Sequence, residues 1–162
     1  MLHIPPWAKD MVMYHIFPDS FATGYRTMGK HPNEQKIVMK NGEKVISGNR
    51  LGGTLSGIKA NLDYLQQLGI NCIYVNPVFA ANSYHKYDTI DYFSIDPCLG
   101  TKKEAKELVE DCHARGIRVL FDGVFNHCGP DFFAFRDVLA HGEKSEYLDW
   151  FYGMQVPVDY KD

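Results

Sequence analysis

The stretch Ile117-Arg118-Val119-Leu120-Phe121-Asp122-Gly123-Val124-Phe125-Asn126-His127 decides the fold. Residues 117 to 121 form a short, mostly apolar run, and an acid, an amide and an imidazole follow it at once. In parallel α/β proteins a strand's body is packed away, so only residues at and just past its carboxyl end reach a ligand. Asp122, Asn126 and His127 stand at that place. Asp and Asn can bind a cation, an arginine or a sugar hydroxyl, and a neutral imidazole can donate to a substrate oxygen. The bland reading is a loop turn with a satisfied core aspartate. Polar residues leaving a buried strand favour the functional one. Asp122 itself reads as too close to the core to be a free general base.

Upstream, Thr101-Lys102-Lys103-Glu104 is a capping box, and Ala105, Leu108, Val109 and Cys112 make the apolar stripe of a helix stopped by Gly116. Before it, residues 70 to 75 are a strand halted at Asn76-Pro77, where proline lacks a ladder donor. That strand follows a helix striped by Leu55, Ile58, Leu62, Leu65 and Leu68 and ended by Gly69. The first strand is residues 11 to 17, apolar and aromatic apart from His15, and is expected to be buried on both faces. Residues 25 to 50 turn polar around His31-Pro32-Asn33 and Asn41-Gly42, with a small hairpin expected from 36 to 40 and 44 to 46. Residues 80 to 100 read as a long loop. Residues 132 to 139 and 147 to 152 read as short aromatic-rich helices.

Strand, helix, strand, helix, strand with short joints predicts a parallel sheet with right-handed crossovers. A closed barrel needs eight such units in about 250 residues, and this chain carries between two and three. Three strands separated by long connections make a thin core for an open doubly wound sheet. The fold class expected is therefore α/β, the N-terminal portion of a (β/α)8 TIM barrel over residues 1–129, with 130–162 opening a separate excursion.

Composition agrees with a globular chain: 162 residues, 45% hydrophobic and 23% charged. A net charge of −3, with 17 basic residues scattered along the chain, gives no continuous cationic surface, so nucleic acid is not an expected partner. The 14% aromatic share supplies flat apolar faces suited to packing or to ring-shaped ligands. Cys72, Cys98, Cys112 and Cys128 lack C-x-x-C spacing and fit reduced thiols of a cytoplasmic protein. The first residues lack a signal-peptide pattern, and no segment reaches membrane-spanning length, so neither secretion nor a membrane partner is expected.

A second polar set, Asn76-Pro77-Val78 and Ser83-Tyr84-His85-Lys86-Tyr87-Asp88, leaves the carboxyl end of the second strand. Neighbouring strands lie about 4.8 Å apart, so His85, Tyr87, Asp122 and His127 can share one pocket. His85 with His127 also suggests zinc, but no H-E-x-x-H spacing or cysteine ligand supports it. Gly52-Gly53-Thr54-Leu55-Ser56-Gly57 matches no phosphate-loop pattern and favours a tight helix entry. Phe132, Phe133, Phe135, Trp150 and Phe151 favour packing over a sugar-stacking wall, although some could do both.

Four stretches together resemble the α-amylase superfamily (glycoside hydrolase family 13), closest to its neopullulanase and cyclomaltodextrinase-like members. They are Tyr14-His15-Ile16-Phe17-Pro18-Asp19-Ser20-Phe21, Gly52-Gly53-Thr54-Leu55-Ser56-Gly57-Ile58, His85-Lys86-Tyr87-Asp88-Thr89-Ile90-Asp91-Tyr92 and Asp122-Gly123-Val124-Phe125-Asn126-His127. The tail, with Asp131-Phe132-Phe133-Ala134-Phe135 and Tyr147-Leu148-Asp149-Trp150-Phe151, is similar to the start of the family's domain B. The resemblance implies that Tyr87 stacks on the sugar next to the cleaved bond, that His127 bonds its 6-hydroxyl, that His85 borders the same subsite and that Asp122 orients a downstream arginine. It implies an α-glucan oligosaccharide as partner, no required cofactor, and Asn126 as a candidate calcium ligand; the loop from Asp19 to Lys30 lacks the acid-rich run that some members use for calcium. It also implies that the nucleophile, the acid and a stabilising aspartate come from the fourth, fifth and seventh strands. The expectation is an enzyme fragment that is inactive alone. The alternative is a noncatalytic carbohydrate-binding or assembly module, completed by homo-oligomerisation or by a complementing C-terminal portion.

Overall fold

A computed structural model describes residues 4–22, 38–40, 43–45 and 52–159. After a 3-10 turn at Pro6–Ala8 come β1 (Met13–Ile16) and a one-turn helix α1 (Pro18–Phe21). Strands β2 (Val38–Lys40) and β3 (Glu43–Val45) pair antiparallel, Val38 opposite Val45 and Lys40 opposite Glu43. Residues 36, 37, 41, 42 and 46 of the expected hairpin lie outside the described residues, as do 31 to 33 and residues 23 to 30 of the first loop. Helices α2 (Leu55–Ala60) and α3 (Leu62–Gln67) lead to β4 (Cys72–Val75), the hairpin β5 (Phe79–Ala81) and β6 (Thr89–Ile95), helix α4 (Lys102–Ala114), strand β7 (Arg118–Phe121) and helix α5 (Phe133–His141).

Strands β1, β4 and β7 form one parallel sheet in that order. Both crossovers step the same way, so right-handedness puts their helices on one side of the sheet. The core is built there. Ile16, Ile73 and Val75 pack with Leu55, Ile58, Leu62 and Leu65 from α2 and α3 and with Leu108 and Cys112 from α4. Each such fully buried aliphatic side chain contributes about 1.5–3 kcal/mol.

Local chemistry explains the ends. Thr54 caps α2 by accepting from Gly57 N at 3.0 Å, and Thr101 caps α4 by accepting from Glu104 N at 3.2 Å. Gly53 is required by close approach: a Cβ there would lie 1.8 Å from the Pro18 carbonyl oxygen, and its N–H donates to Asp19 O at 2.8 Å. The glycine stretch thus seats α2 against the turn after β1.

Several expectations are corrected. The helix expected from Leu55 to Leu68 is two helices, because Asn61 has left helical geometry and turns its side-chain amide back to Gly57 O at 2.8 Å. Leu68 drops off the stripe and is half exposed. Strand β1 is not buried on both faces; it is an edge of the sheet, and Met13 is 40% exposed. Residues 80 to 100 are not a loop throughout, since β5 and β6 pair there with shifted register. Within residues 147 to 152 only the 3-10 turn Leu148–Trp150 forms.

Candidate functional site

Register puts the polar residues on one face. His15 pairs with Tyr74 and Tyr74 with Leu120, and Asn76 and Asp122 follow two residues later on their strands. Side chains two apart in a strand share a face, so His15, Tyr74, Asn76 and Asp122 occupy the side opposite the helices. The loop after β5 then lowers Tyr87 onto them.

The Tyr87 hydroxyl donates to Asp122 Oδ2 at 2.8 Å and accepts from Asn76 Nδ2 at 3.0 Å. Asn76 Oδ1 in turn bonds His15 Nε2. His127 Nε2 donates to the Tyr87 backbone carbonyl at 2.9 Å, which places its proton on that nitrogen. The His85 ring lies 6.0 Å from that of Tyr87, tilted by 35°. Tyr87, Asp122 and His127 therefore meet directly and His85 borders them. Asn126 stands apart: it is exposed and shares a different hollow with His127. Accepting from Tyr87, Asp122 raises the cost of a phenolate there. That bond, then burial, then the charge of Asp122 push the Tyr87 phenol up to about 12. Burial first, then Asp122, raise the Tyr74 phenol as well.

The loop that carries Tyr87 is tied down from inside. Lys86 is buried and sits at φ +65°, a left-handed geometry uncommon outside glycine. Its ammonium lies 2.8 Å from Asp96 Oδ2 and donates to Ser83 O at 2.8 Å. Asp96 also accepts from Ala81 N at 3.3 Å and Cys98 N at 2.9 Å. Asp88 accepts from Ser83 N, and Ser83 Oγ bonds both Asp88 and His85 Nδ1. Sequence reasoning missed Lys86 and Asp96 as a pair. The signal was a lysine between two aromatic site residues, the only Lys or Arg between Lys59 and Lys102, in a stretch whose nearby charges, Asp88, Asp91 and Asp96, are all acidic. His15 was legible as the one polar interruption of an apolar strand, without an assigned partner.

Downstream, a cavity of about 800 Å³ runs beside His127, lined by Tyr92, Phe125, Phe132, Phe135, Trp150 and Phe151 among others. The tail aromatics pack on one another: Phe132 on Phe133 at 4.8 Å, Phe133 edge-on to Trp150 at 6.0 Å, Phe135 against Phe151 at 5.8 Å. Trp150 and Phe125 remain well exposed along this trough. Among the described residues no group of three or more His, Cys, Asp or Glu side chains is arranged to hold a metal ion, so His85 and His127 have no third ligand of that kind. All four cysteines are free, and burial pushes the Cys112 thiol up to about 11, away from thiolate reactivity. No described helix is long and apolar enough to cross a membrane.

Comparison with known proteins gives the family of the chain. Residues 15–161 match the family model of the α-amylase catalytic domain. The chain is 48% identical over 154 residues to a cyclomaltodextrinase of Thermoanaerobacter pseudethanolicus, covering 95% of this chain and 26% of that protein. It is 44% identical over 155 residues to an intracellular maltogenic amylase of Bacillus subtilis, again 95% of this chain and 26% of the relative. Among solved structures, the ligand-free cyclic α-maltosyl-(1→6)-maltose hydrolase of Arthrobacter globiformis superposes with a TM-score of 0.78 at 39% identity, over 97% of this chain and 34% of that one. The chain thus spans about a quarter of the length of these curated relatives. Its α/β architecture corresponds to the N-terminal portion of a (β/α)8 barrel, and the chain belongs to the α-amylase catalytic-domain family.

Proposed function

We propose that this chain binds and orients an α-1,4-glucan, such as maltodextrin, cyclodextrin or a starch-derived oligosaccharide, for an α-amylase-type glycosidase with a retaining mechanism. The observation that carries the reading is the fixing of Tyr87 by Asp122 and Asn76 beside His127. A tyrosine held by its hydroxyl offers its ring, not its oxygen, to a ligand, and a ring face suits the apolar face of a glucose unit. With Nε2 of His127 engaged, Nδ1 is the nitrogen available to accept from a sugar hydroxyl. The names of the relatives support the substrate class. The intracellular relative supports a cytoplasmic location.

Retaining hydrolysis needs two carboxyl groups about 5–5.5 Å apart, one as nucleophile and one as acid. Asp122 is committed to Tyr87 and is a poor candidate for either. We assign both roles to the portion of the relatives beyond the matched region, residues 1–129 to the barrel, and residues 130–162 to the opening of a domain B. Calcium binding is assigned to Asn126. Isothermal titration of the 162-residue chain tests the reading. Maltotriose should bind, cellotriose should not, Tyr87→Ala should abolish the signal, and a nitrophenyl maltoside should give only background turnover. Equal binding of the two trisaccharides removes the α-glucan assignment, and sustained turnover removes the division of labour.

The open edges β1 and β7 favour a second reading, a binding module completed by self-association. A discrete dimer in sedimentation that still binds maltotriose supports it; a binding-competent monomer excludes it.

A further inference from the structure

Five side chains close a ring on the open face of the sheet. His15 meets Asn76, Asn76 meets Tyr87, and Tyr87 meets Asp122. Tyr74 turns its hydroxyl toward Asp122 and lays its ring edge-on to His15 at 5.1 Å and 77°. The direction of every link follows from one end. A carboxylate only accepts, so the Tyr87 O–H donates to Asp122 and its oxygen is left to accept from the Asn76 amide. Asn76 must then present its carbonyl to His15, whose Nε2 must carry hydrogen. That hydrogen is present in the Nε2 tautomer and in the imidazolium alike, so the link does not depend on the charge of His15.

The relay does two things for Tyr87. It fixes the ring rotamer from the edge strand β1 on the same face of the sheet, and it turns the hydroxyl toward protein, where it cannot compete for sugar hydroxyls. We propose that His15 and Asn76 are positioning residues for α-glucan binding, acting through the Tyr87 ring without touching the sugar. This rests on the α-glucan reading above. Gln at position 15 can supply the same N–H donor; Leu cannot.

The 162-residue chain and its His15→Gln, His15→Leu and Asn76→Leu variants are titrated with maltotriose while the Tyr87 ring resonances are followed by NMR, assigned against Tyr87→Phe. His15→Gln should keep the affinity and the Tyr87 shifts. His15→Leu and Asn76→Leu should each weaken binding by about three- to ten-fold, the effect of one lost hydrogen bond, and move the Tyr87 resonances without ligand. Because both act through one relay, the double variant should lose little more than Asn76→Leu alone. Equal losses for Gln and Leu at position 15, full additivity, or unmoved Tyr87 resonances in the Leu variants overturn the proposal. If the unmodified chain fails to bind maltotriose, the α-glucan reading falls with the binding claim, while the ligand-free resonances still report separately whether His15 holds Tyr87. Should His15→Leu not fold, Asn76→Leu against His15→Gln gives the same decision.

Discussion

Lys86 and Tyr87 are consecutive, yet they belong to two polar clusters of opposite kind. The Lys86–Asp96 pair is enclosed, both side chains about 2% exposed, and its atoms find their partners inside the protein. The cluster around Tyr87 lies at the surface, with Tyr87 36% exposed and His127 open beside it. The closed cluster sets the path of the loop. The open one keeps ring faces and a histidine nitrogen facing outward. The lesson is that a buried ion pair within one residue of an exposed aromatic can act as scaffold, while an outward ring supported from behind acts as a contact.

The comparison breaks most sharply at Lys86. Removing one partner of a buried pair leaves the other charge uncompensated, so Lys86→Met should cost about 3–5 kcal/mol in urea denaturation. Lys86→Gly loses the same pair and relieves the left-handed backbone by about 1 kcal/mol, but it also empties a fully buried side-chain site at a cost of about 2–5 kcal/mol, so it should be less stable than Lys86→Met. A denaturation midpoint for Lys86→Met equal to that of the unmodified chain would show that the pair holds nothing.

A smaller effect is expected where the two exit loops touch. Gly129 N donates to Thr89 O at 2.7 Å, and a Cβ at Gly129 would come 2.3 Å from the Asp88 carbonyl oxygen. Gly129→Ala must push the loop after β7 away from the hairpin that carries Tyr87. Overpacking of this kind costs about 1–3 kcal/mol, and maltotriose affinity should fall with it, since His127 and Tyr87 separate. Unchanged affinity in a destabilised Gly129→Ala chain would show that the two loops need no fixed spacing.

How far the sequence reached follows from the same contrast. Periodic features were legible: the stripes of α2–α3 and α4, the Thr101 capping box, and the strands ending at Asn76 and Asp122. The convergence of Tyr87, Asp122 and His127 followed from strand spacing alone. The hairpin of β5 and β6 escaped because its register shifts between Phe79, Ala80 and Ala81, which destroys the alternation a strand is recognised by. The exposure of β1 depends on which neighbours the sheet has, which an apolar run does not record. The Lys86–Asp96 pair joins residues ten positions apart through a left-handed turn, and no periodic pattern encodes that. His15 and Asn76 were visible as residues but not as partners, because their contact joins strands 61 positions apart in the chain.

The mildest test concerns protons. The folded-state phenol of Tyr87 lies at about 12 against an ordinary value of 10.0, chiefly because its hydroxyl donates to Asp122. A raised acid favours its neutral form in the fold. Its contribution is therefore complete below about pH 10 and is lost as pH rises through the folded value near 12. At 36% exposure the accompanying change in stability is small after screening by solvent, so the readout is spectroscopic. The phenolate absorbance difference between the unmodified chain and Tyr87→Phe should stay flat to about pH 11 while circular dichroism still reports a native fold. Asp122→Asn removes the carboxylate, and the Tyr87 transition should move back toward 10. A Tyr87 that ionises near 10 in the intact chain would mean that its hydroxyl does not rest on Asp122 in solution. The open cluster would then lack the support from behind that distinguishes it from a loose loop.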